Sequence, residues 1–129
     1  MDERMRETLA TKCMGWQRCY LVEWDTDVWM EPSGEPDGLF VVEGMYDWRD
    51  WKPDENWPQC GLVIEAMREK GFVIYLSIAT IDGEPYALAT CHRFDPVVAE
   101  YLSGQSQTED RGGPLAVCEA ICQALEGYR

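Results

Sequence analysis

Residues 72–94 constrain the fold more than any other stretch of this sequence. They read FVIYLSIATIDGEPYALATCHRF, two runs of strand-forming residues on either side of Asp82-Gly83. Asp-Gly is typical of a type I′ turn, whose backbone twist matches that of two paired antiparallel strands. The stretch therefore predicts a β-hairpin, and the rest of the chain must supply the elements that cover it.

Three segments have the spacing of amphipathic helices. The first runs from a cap at Asp2 to a stop at Gly15, the second starts at Asn56 and Pro58, and the third starts at Pro114. Apolar side chains three or four positions apart indicate one buried face on each helix. The predicted buried faces are Met5, Leu9 and Cys13; Leu62, Val63, Ala66 and Met67; and Leu115, Cys118, Ile121, Cys122 and Leu125.

Two more strands are predicted between the first two helices. One lies around Cys19–Trp24, with a continuation towards Met30 left open, the other over Gly38–Tyr46, and we expect them to pair. Residues 95–113 read as a polar connector with at most one short regular piece. The order is helix, two strands, helix, two strands, helix. It predicts an α+β fold in which three helices pack on one mostly antiparallel sheet of four or slightly more strands, like an α/β/α sandwich. The 129 residues fit a single domain.

The charge balance argues against several partners. The chain has 24 acids, 11 bases and a formal net charge of −13, so nucleic acid and anionic membranes would repel it. No apolar run approaches the roughly 18 residues of a membrane span. Residues Glu23–Asp37 hold six acids and no base, which fits a solvated loop or a mimic of a phosphate backbone. The charged N-terminus does not resemble a signal peptide, so a cytoplasmic location is expected.

Catalytic and metal-binding motifs are missing from the sequence. None of the six cysteines forms a C-x-x-C pair, and Cys118 and Cys122 have a helical spacing that suits packing as well as metal binding. His92 is the only histidine, and no nucleophile elbow, zinc helix or phosphate loop is present. The sequence therefore predicts no cofactor, no metal and no catalytic site. Paired carboxylates remain possible in so acidic a chain.

Three segments carry a resemblance to a known family. They are KCMGW, YDWRDWKPDENWPQCGLVIEAMREKGF and GGPLAVCEAICQALEG, and they resemble the small tailed-phage proteins grouped as the phage ABA sandwich domain. The resemblance covers most of the chain and implies the sandwich fold and, in a phage setting, the cytoplasm of a bacterial host. The motifs mark helix starts and core faces and identify no chemistry. The acidic insertion Asp25–Asp37 departs from the family pattern and inherits nothing from it.

The segment YDWRDWKPDENWPQC, residues 46–60, is the first candidate for ligand binding. Trp48, Trp51 and Trp57 supply stacking faces, and Arg49 and Lys52 supply cations, the components that hold a base and a phosphate. The alternative is structural, because tryptophans beside a helix start often fasten a loop to the core.

A second candidate precedes the last helix. Arg111, Gly112 and Gly113 come directly before its N-terminus, where free N–H groups and the helix dipole favour an anion. The alternative is that the glycines only let the chain turn. If the two candidates meet in space, Arg93 at the end of the hairpin is the expected third cation.

Three functional hypotheses follow from these features. The first is a non-catalytic phage sponge that sequesters a nucleotide-derived immune signal, such as a cyclic ADP-ribose isomer or a cyclic dinucleotide, and by analogy with such sponges is a homo-oligomer. The second is an acidic module that binds a host protein through Asp25, Asp27 and Glu31. The third is an enzyme that cleaves a nucleotide signal, with His92 and a carboxylate as its first candidates.

Overall fold

The structure combines three helices with antiparallel strands, which confirms the α+β class. It is a computed structural model that describes residues 3–32, 38–95, 100–109 and 112–126. The helices are α1 (Glu3–Thr8), continued by a π-helical turn over Leu9–Cys13, α2 (Trp57–Glu69) and α3 (Gly113–Glu126). The strands are β1 (Gln17–Leu21), β2 (Thr26–Pro32), β3 (Leu39–Val41), β4 (Val73–Ile81), β5 (Glu84–Asp95) and β6 (Glu100–Glu109), and short 3-10 turns lie at Val22–Trp24 and Trp48–Asp50.

The strands form two sheets, where the sequence predicted one. The orders are β1-β2-β3 and β4-β5-β6, with every neighbouring pair antiparallel. The first sheet differs from prediction because the acidic run contains β2, which lies between β1 and β3 and prevents them from pairing directly. The strand predicted over Cys19–Trp24 ends at Leu21, and the strand predicted over Gly38–Tyr46 is limited to Leu39–Val41.

The β4–β5 hairpin is confirmed. Ile81 pairs with Glu84 across a two-residue loop, and Asp82 and Gly83 have φ of 53° and 82°, as a type I′ turn requires. The predicted polar connector is wrong for residues 100–109, which form β6. Serine, glutamine and glycine do not favour strands on their own, but β5 offers an edge whose N–H and C=O groups this segment can pair.

Helix α3 lies along β5 and β6 and also contacts α1 and α2. Ala87, Ala89 and Cys91 alternate along β5 and are buried, and small side chains let a helix approach a sheet closely. On α3 the buried side chains extend around most of the helix and leave Gln123 and Glu126 exposed. The two sheets therefore share buried neighbours in one contiguous apolar cluster.

The helix ends mostly follow the sequence signals. Gly15 stops the first helix with φ of 76°, as predicted, while the predicted cap Asp2 lies outside the described residues. Val63 and Met67 are buried on α2 as expected. Leu62 is 46% exposed, so its predicted place in the core is wrong: each residue turns about 100° around a helix, which directs Leu62 away from the stripe that packs.

Candidate functional site

The segment before α2 is fastened by its own polar side chains. The Asn56 side chain accepts a hydrogen bond from Gln59 N at 3.0 Å, which confirms the predicted N-cap, and Pro58 lies in the first turn. The Gln59 side chain accepts from Lys52 N at 2.5 Å and donates to Asp50 O at 3.0 Å. These bonds hold the loop across the start of the helix.

Trp51 is a core residue. It is 1% exposed, its Nε1 donates to Arg6 O at 3.0 Å, and its ring meets Trp16 edge-on with centroids 4.7 Å apart. These contacts attach the loop to α1. For Trp51 they support the structural alternative, in which a tryptophan beside a helix start fastens the loop to the core. The buried ring leaves little surface for a base, so Trp51 does not serve as the stacking platform suggested by the sequence.

Trp48 stands at the start of a short 3-10 turn that Asp47 caps. The Asp47 carboxylate accepts from Arg49 N at 2.9 Å and from the Arg49 guanidinium at 2.7 and 3.0 Å. The guanidinium bonds first, and the backbone bond second, hold the pKa of Asp47 well below its usual range. The turn brings the Trp48 ring against Arg18, whose Cζ lies 3.9 Å from the ring centroid.

A cleft of about 330 Å³ opens between α1, the first sheet and this loop. We call it the tryptophan cleft. It is lined by Glu3, Arg6, Glu7, Arg18, Trp29, Trp48, Arg49, Asp50, Trp51 and Lys52.

Most cations of the tryptophan cleft already have a carboxylate partner. Arg6 makes a bidentate pair with the buried Asp54 at 2.7 and 3.0 Å, a bond that raises the pKa of Arg6, and Arg18 pairs with Asp27 at 2.8 Å. Lys52 makes no ion pair with any residue in the described part of the chain. It is therefore the cation of this cleft whose charge is least neutralised.

Trp29 gives the tryptophan cleft a buried donor. The residue is 2% exposed, and its Nε1 has no hydrogen-bond partner among the described residues. An unpaired buried N–H group costs about 1–3 kcal/mol of stability. Sequence reasoning missed Trp29, Arg6 and Arg18. Arg18 and Trp29 are register partners on β1 and β2, so finding them required β2 to be recognised as a strand.

Trp57 and the glycines before α3 meet at a different place. The Trp57 ring covers Gly113, where a Cβ atom would lie 2.6 Å from Cζ2 of the indole. Gly113 is buried and Trp57 is 48% exposed. This contact gives Gly113 a packing role, and Gly112 O accepts the first helical bond from Ala116 N at 2.7 Å. Arg111 lies outside the described residues.

Arg93 lies neither in the tryptophan cleft nor at the contact between Trp57 and Gly113. It belongs to a separate cavity with Lys12 and Lys70, and its Cζ lies 4.8 Å from the centroid of Phe72. The predicted site residues are thus divided: Trp48, Arg49, Trp51 and Lys52 share the tryptophan cleft, Trp57 packs on Gly113, and Arg93 is elsewhere.

His92 stacks on Tyr75 with centroids 5.9 Å apart and 24° between the ring planes. It does not line the tryptophan cleft. Within the described ranges, no three histidine, cysteine, aspartate or glutamate residues are close enough to hold a metal ion.

Compared with known proteins, the chain matches no family model, no curated protein and no solved structure. The resemblance to the phage ABA sandwich domain therefore depends on the sequence motifs alone. Among residues 3–32, 38–95, 100–109 and 112–126, no helix is long and apolar enough to cross a bilayer.

Proposed function

We propose that this chain is a small phage accessory protein that binds a nucleotide-derived immune signal in the tryptophan cleft and holds it unchanged. A cyclic ADP-ribose isomer or a cyclic dinucleotide is the class of ligand. The observation that carries the proposal is the stacked Arg18–Trp48 pair beside Lys52 in one cleft of about 330 Å³. Small-molecule sites commonly measure about 300–1,000 Å³.

The Arg18–Trp48 pair suits a planar ring. Both groups are flat, and the guanidinium carbon already lies over the indole ring, so a base can stack on the pair with little reordering. Stacking of a base on an aromatic side chain contributes about 1–3 kcal/mol. Asp47 and Arg49 hold the turn that carries Trp48, which keeps this wall of the cleft in place.

The charges of the cleft suit a ligand with two different ends. Arg6, Arg18 and Arg49 each have a carboxylate partner. Lys52 is therefore the cation of the cleft that is most available to a phosphate. Glu3, Glu7 and Asp50 also line the cleft; they repel a phosphate but accept hydrogen bonds from ribose hydroxyls and base amino groups. A nucleotide carries both kinds of group, whereas a simple anion does not.

The composition of the cleft favours binding over cleavage. Among the residues that the structure describes, its lining includes no histidine, cysteine, serine, threonine or tyrosine, so nucleophilic catalysis would need one of the three carboxylates or the Lys52 amine. His92, the first candidate for a general base, stacks on Tyr75 instead. We therefore assign no reaction to the site.

Tryptophan fluorescence tests the proposal. The protein is titrated with a panel of cyclic dinucleotides and cyclic ADP-ribose isomers, and the ligand is recovered after heat denaturation. We expect saturable quenching, release of intact ligand, and affinity about tenfold weaker or worse in Lys52→Gln, which loses one charge-assisted hydrogen bond. Arg68→Gln is the matched control: it removes one positive charge from an exposed pair with Glu65 outside the cleft.

Two results would count against the cleft. An unresponsive panel, or equal affinity in Lys52→Gln and wild type, removes it as the site. Recovery of cleaved ligand would make the protein an enzyme.

The acidic protein-binding module is a second candidate, supported by one surface feature. Trp24 and Tyr46 contact each other edge-on at 5.4 Å while 44% and 63% exposed, and residues 19–48 hold eight acids and no base. Of the three acids suggested by the sequence, Asp25, Asp27 and Glu31, Asp27 is the least suited to bind a partner, because it already pairs with Arg18.

Binding of an oligolysine peptide tests this candidate. We expect the peptide to bind in a salt-dependent way and Glu31→Lys to weaken binding, while Glu126→Lys has no effect. Absence of binding at low ionic strength would exclude this candidate.

A further inference from the structure

A second cavity brings three cations together in an acidic protein. It has a volume of about 400 Å³ and is lined by Lys12, Lys70, Phe72, Arg93 and Leu125. We call it the basic pocket. Lys12 comes from the last turn of the first helix, Lys70 caps the C-terminus of α2, and Arg93 comes from β5. Three of the 11 bases thus converge here, and no acidic residue in the described part of the chain lines the cavity.

Arg93 is held in a fixed position. Its Nη1 donates to Lys70 O at 2.8 Å, and its Cζ lies 4.8 Å from the centroid of the buried Phe72 ring. Gly71 leaves room for its side chain: a Cβ there would lie 3.3 Å from Arg93 Cδ, and Gly71 has φ of 89°. An arginine ordered in advance loses little conformational entropy when a ligand binds.

The two lysines lack a carboxylate partner among the described residues. Lys12 and Lys70 make no ion pair with any of the residues that the structure describes. Each lies near the C-terminus of a helix, where a cation interacts favourably with the helix dipole. That effect accounts for each lysine separately, and Arg93 also bonds the C-cap carbonyl of α2, but the effect does not account for the apolar walls formed by Phe72 and Leu125.

We propose that the basic pocket is a second ligand site, separate from the tryptophan cleft, that binds the phosphoryl group of a small molecule. The ammonium groups of Lys12 and Lys70 and the guanidinium of Arg93 contact the phosphate oxygens. The partly buried Leu125 contacts an apolar or aromatic body attached to that phosphate, whereas Phe72, 5% exposed, offers it little surface. This arrangement favours a phosphate ester over a free inorganic ion.

Calorimetric titration at low salt with phenyl phosphate, and separately with inorganic phosphate, tests the site. We expect phenyl phosphate to bind more tightly because it also contacts the apolar walls. Lys12→Gln and Lys70→Gln should each weaken phenyl phosphate about tenfold or more. Lys52→Gln, in the tryptophan cleft, and Arg68→Gln, on the surface of α2, should leave this affinity unchanged. Both pocket lysines are exposed, so their variants are expected to fold.

Three outcomes would overturn the proposal. Phenyl phosphate fails to bind, the two pocket lysine variants bind it as wild type does, or Lys52→Gln weakens it as much as Lys70→Gln. The last outcome would place the phosphate in the tryptophan cleft. The nucleotide test depends on Lys52, whereas this test depends on Lys12 and Lys70. If one of the two tests fails, the result of the other can still be interpreted.

Discussion

Three tryptophans within ten residues have three different roles, and the nearest neighbour of each ring decides its role. Trp51 is buried because its N–H finds a backbone carbonyl and its ring finds Trp16. Trp48 forms a wall of the cleft because Arg18 covers its face. Trp57 covers a residue that has no side chain. An indole carries both a large apolar face and one hydrogen-bond donor. It can therefore pack in the core, line a cleft or cover another residue.

Gly113 gives a prediction at the scale of single residues. In Gly113→Ala the new Cβ would lie 2.6 Å from Trp57 Cζ2, so the ring or the helix must move. We expect the free energy of unfolding, measured by urea denaturation, to fall by about 1–2 kcal/mol. Alanine forms helix better than glycine by roughly 1 kcal/mol in a helix interior, so at the first residue of α3 the substitution without the clash should be neutral or slightly stabilising.

A double-mutant cycle isolates that contact. In a Trp57→Ala background, Gly113→Ala should be neutral or stabilising, because the obstructing ring is gone. An equal loss of stability in both backgrounds would show that the ring is not the cause.

At the scale of elements, signals that act over a few residues were read correctly and pairings between distant segments were not. Asn56 caps its own helix and Asp82-Gly83 turns its own hairpin, so local sequence is enough for both. β2 and β6 exist because a neighbouring strand offers a partner. Their acidic and polar side chains hid this, because strand preference depends strongly on tertiary context.

The same difference of scale explains how far the candidate site could be predicted. Trp48, Arg49, Trp51 and Lys52 share the cleft because they are adjacent in the chain. Arg18 and Trp29 reach the same cleft because they are paired in the β1–β2 register, and no local sequence motif predicts that pairing. Lys12, Lys70 and Arg93 meet because two helix ends and β5 border the same cavity, so their convergence also required the fold.

For the whole molecule, the uneven distribution of bases matters more than the net charge. The chain carries −13, yet four of its 11 bases line the tryptophan cleft and three others line the basic pocket. A long-range negative field slows the approach of any anion, and local cations must then provide the attraction. This combination suits small ligands that contact a few cations closely, and it disfavours a polyanion that spans the acidic surface.

The core itself contains five buried cysteines, and this predicts how thiols report on the stability of the whole fold. Burial raises the pKa of Cys13 and of Cys91 to about 12, so at pH 8 only about one in 10,000 of these thiols is ionised. Cys118 hydrogen-bonds Cys60, which raises the pKa of Cys118 and lowers that of Cys60; exclusion of the reagent protects the fully buried Cys60. Cys19 on β1 is half-buried.

We therefore expect iodoacetamide at pH 8 to modify Cys19 first in the native protein. Cys13, Cys60, Cys91 and Cys118, each 0–1% exposed, should react only through global unfolding, as mass spectrometry would show. Raising the pH should speed their modification, because they react from the open state, in which the thiols regain a pKa of about 8.5 and ionise further above pH 8. In urea all six should react together, and Cys19→Ser should remove the fast phase. Fast reaction of Cys13, Cys60, Cys91 or Cys118 in Cys19→Ser would show that part of the core opens without global unfolding, since the reagent would then reach a buried cysteine through a local fluctuation.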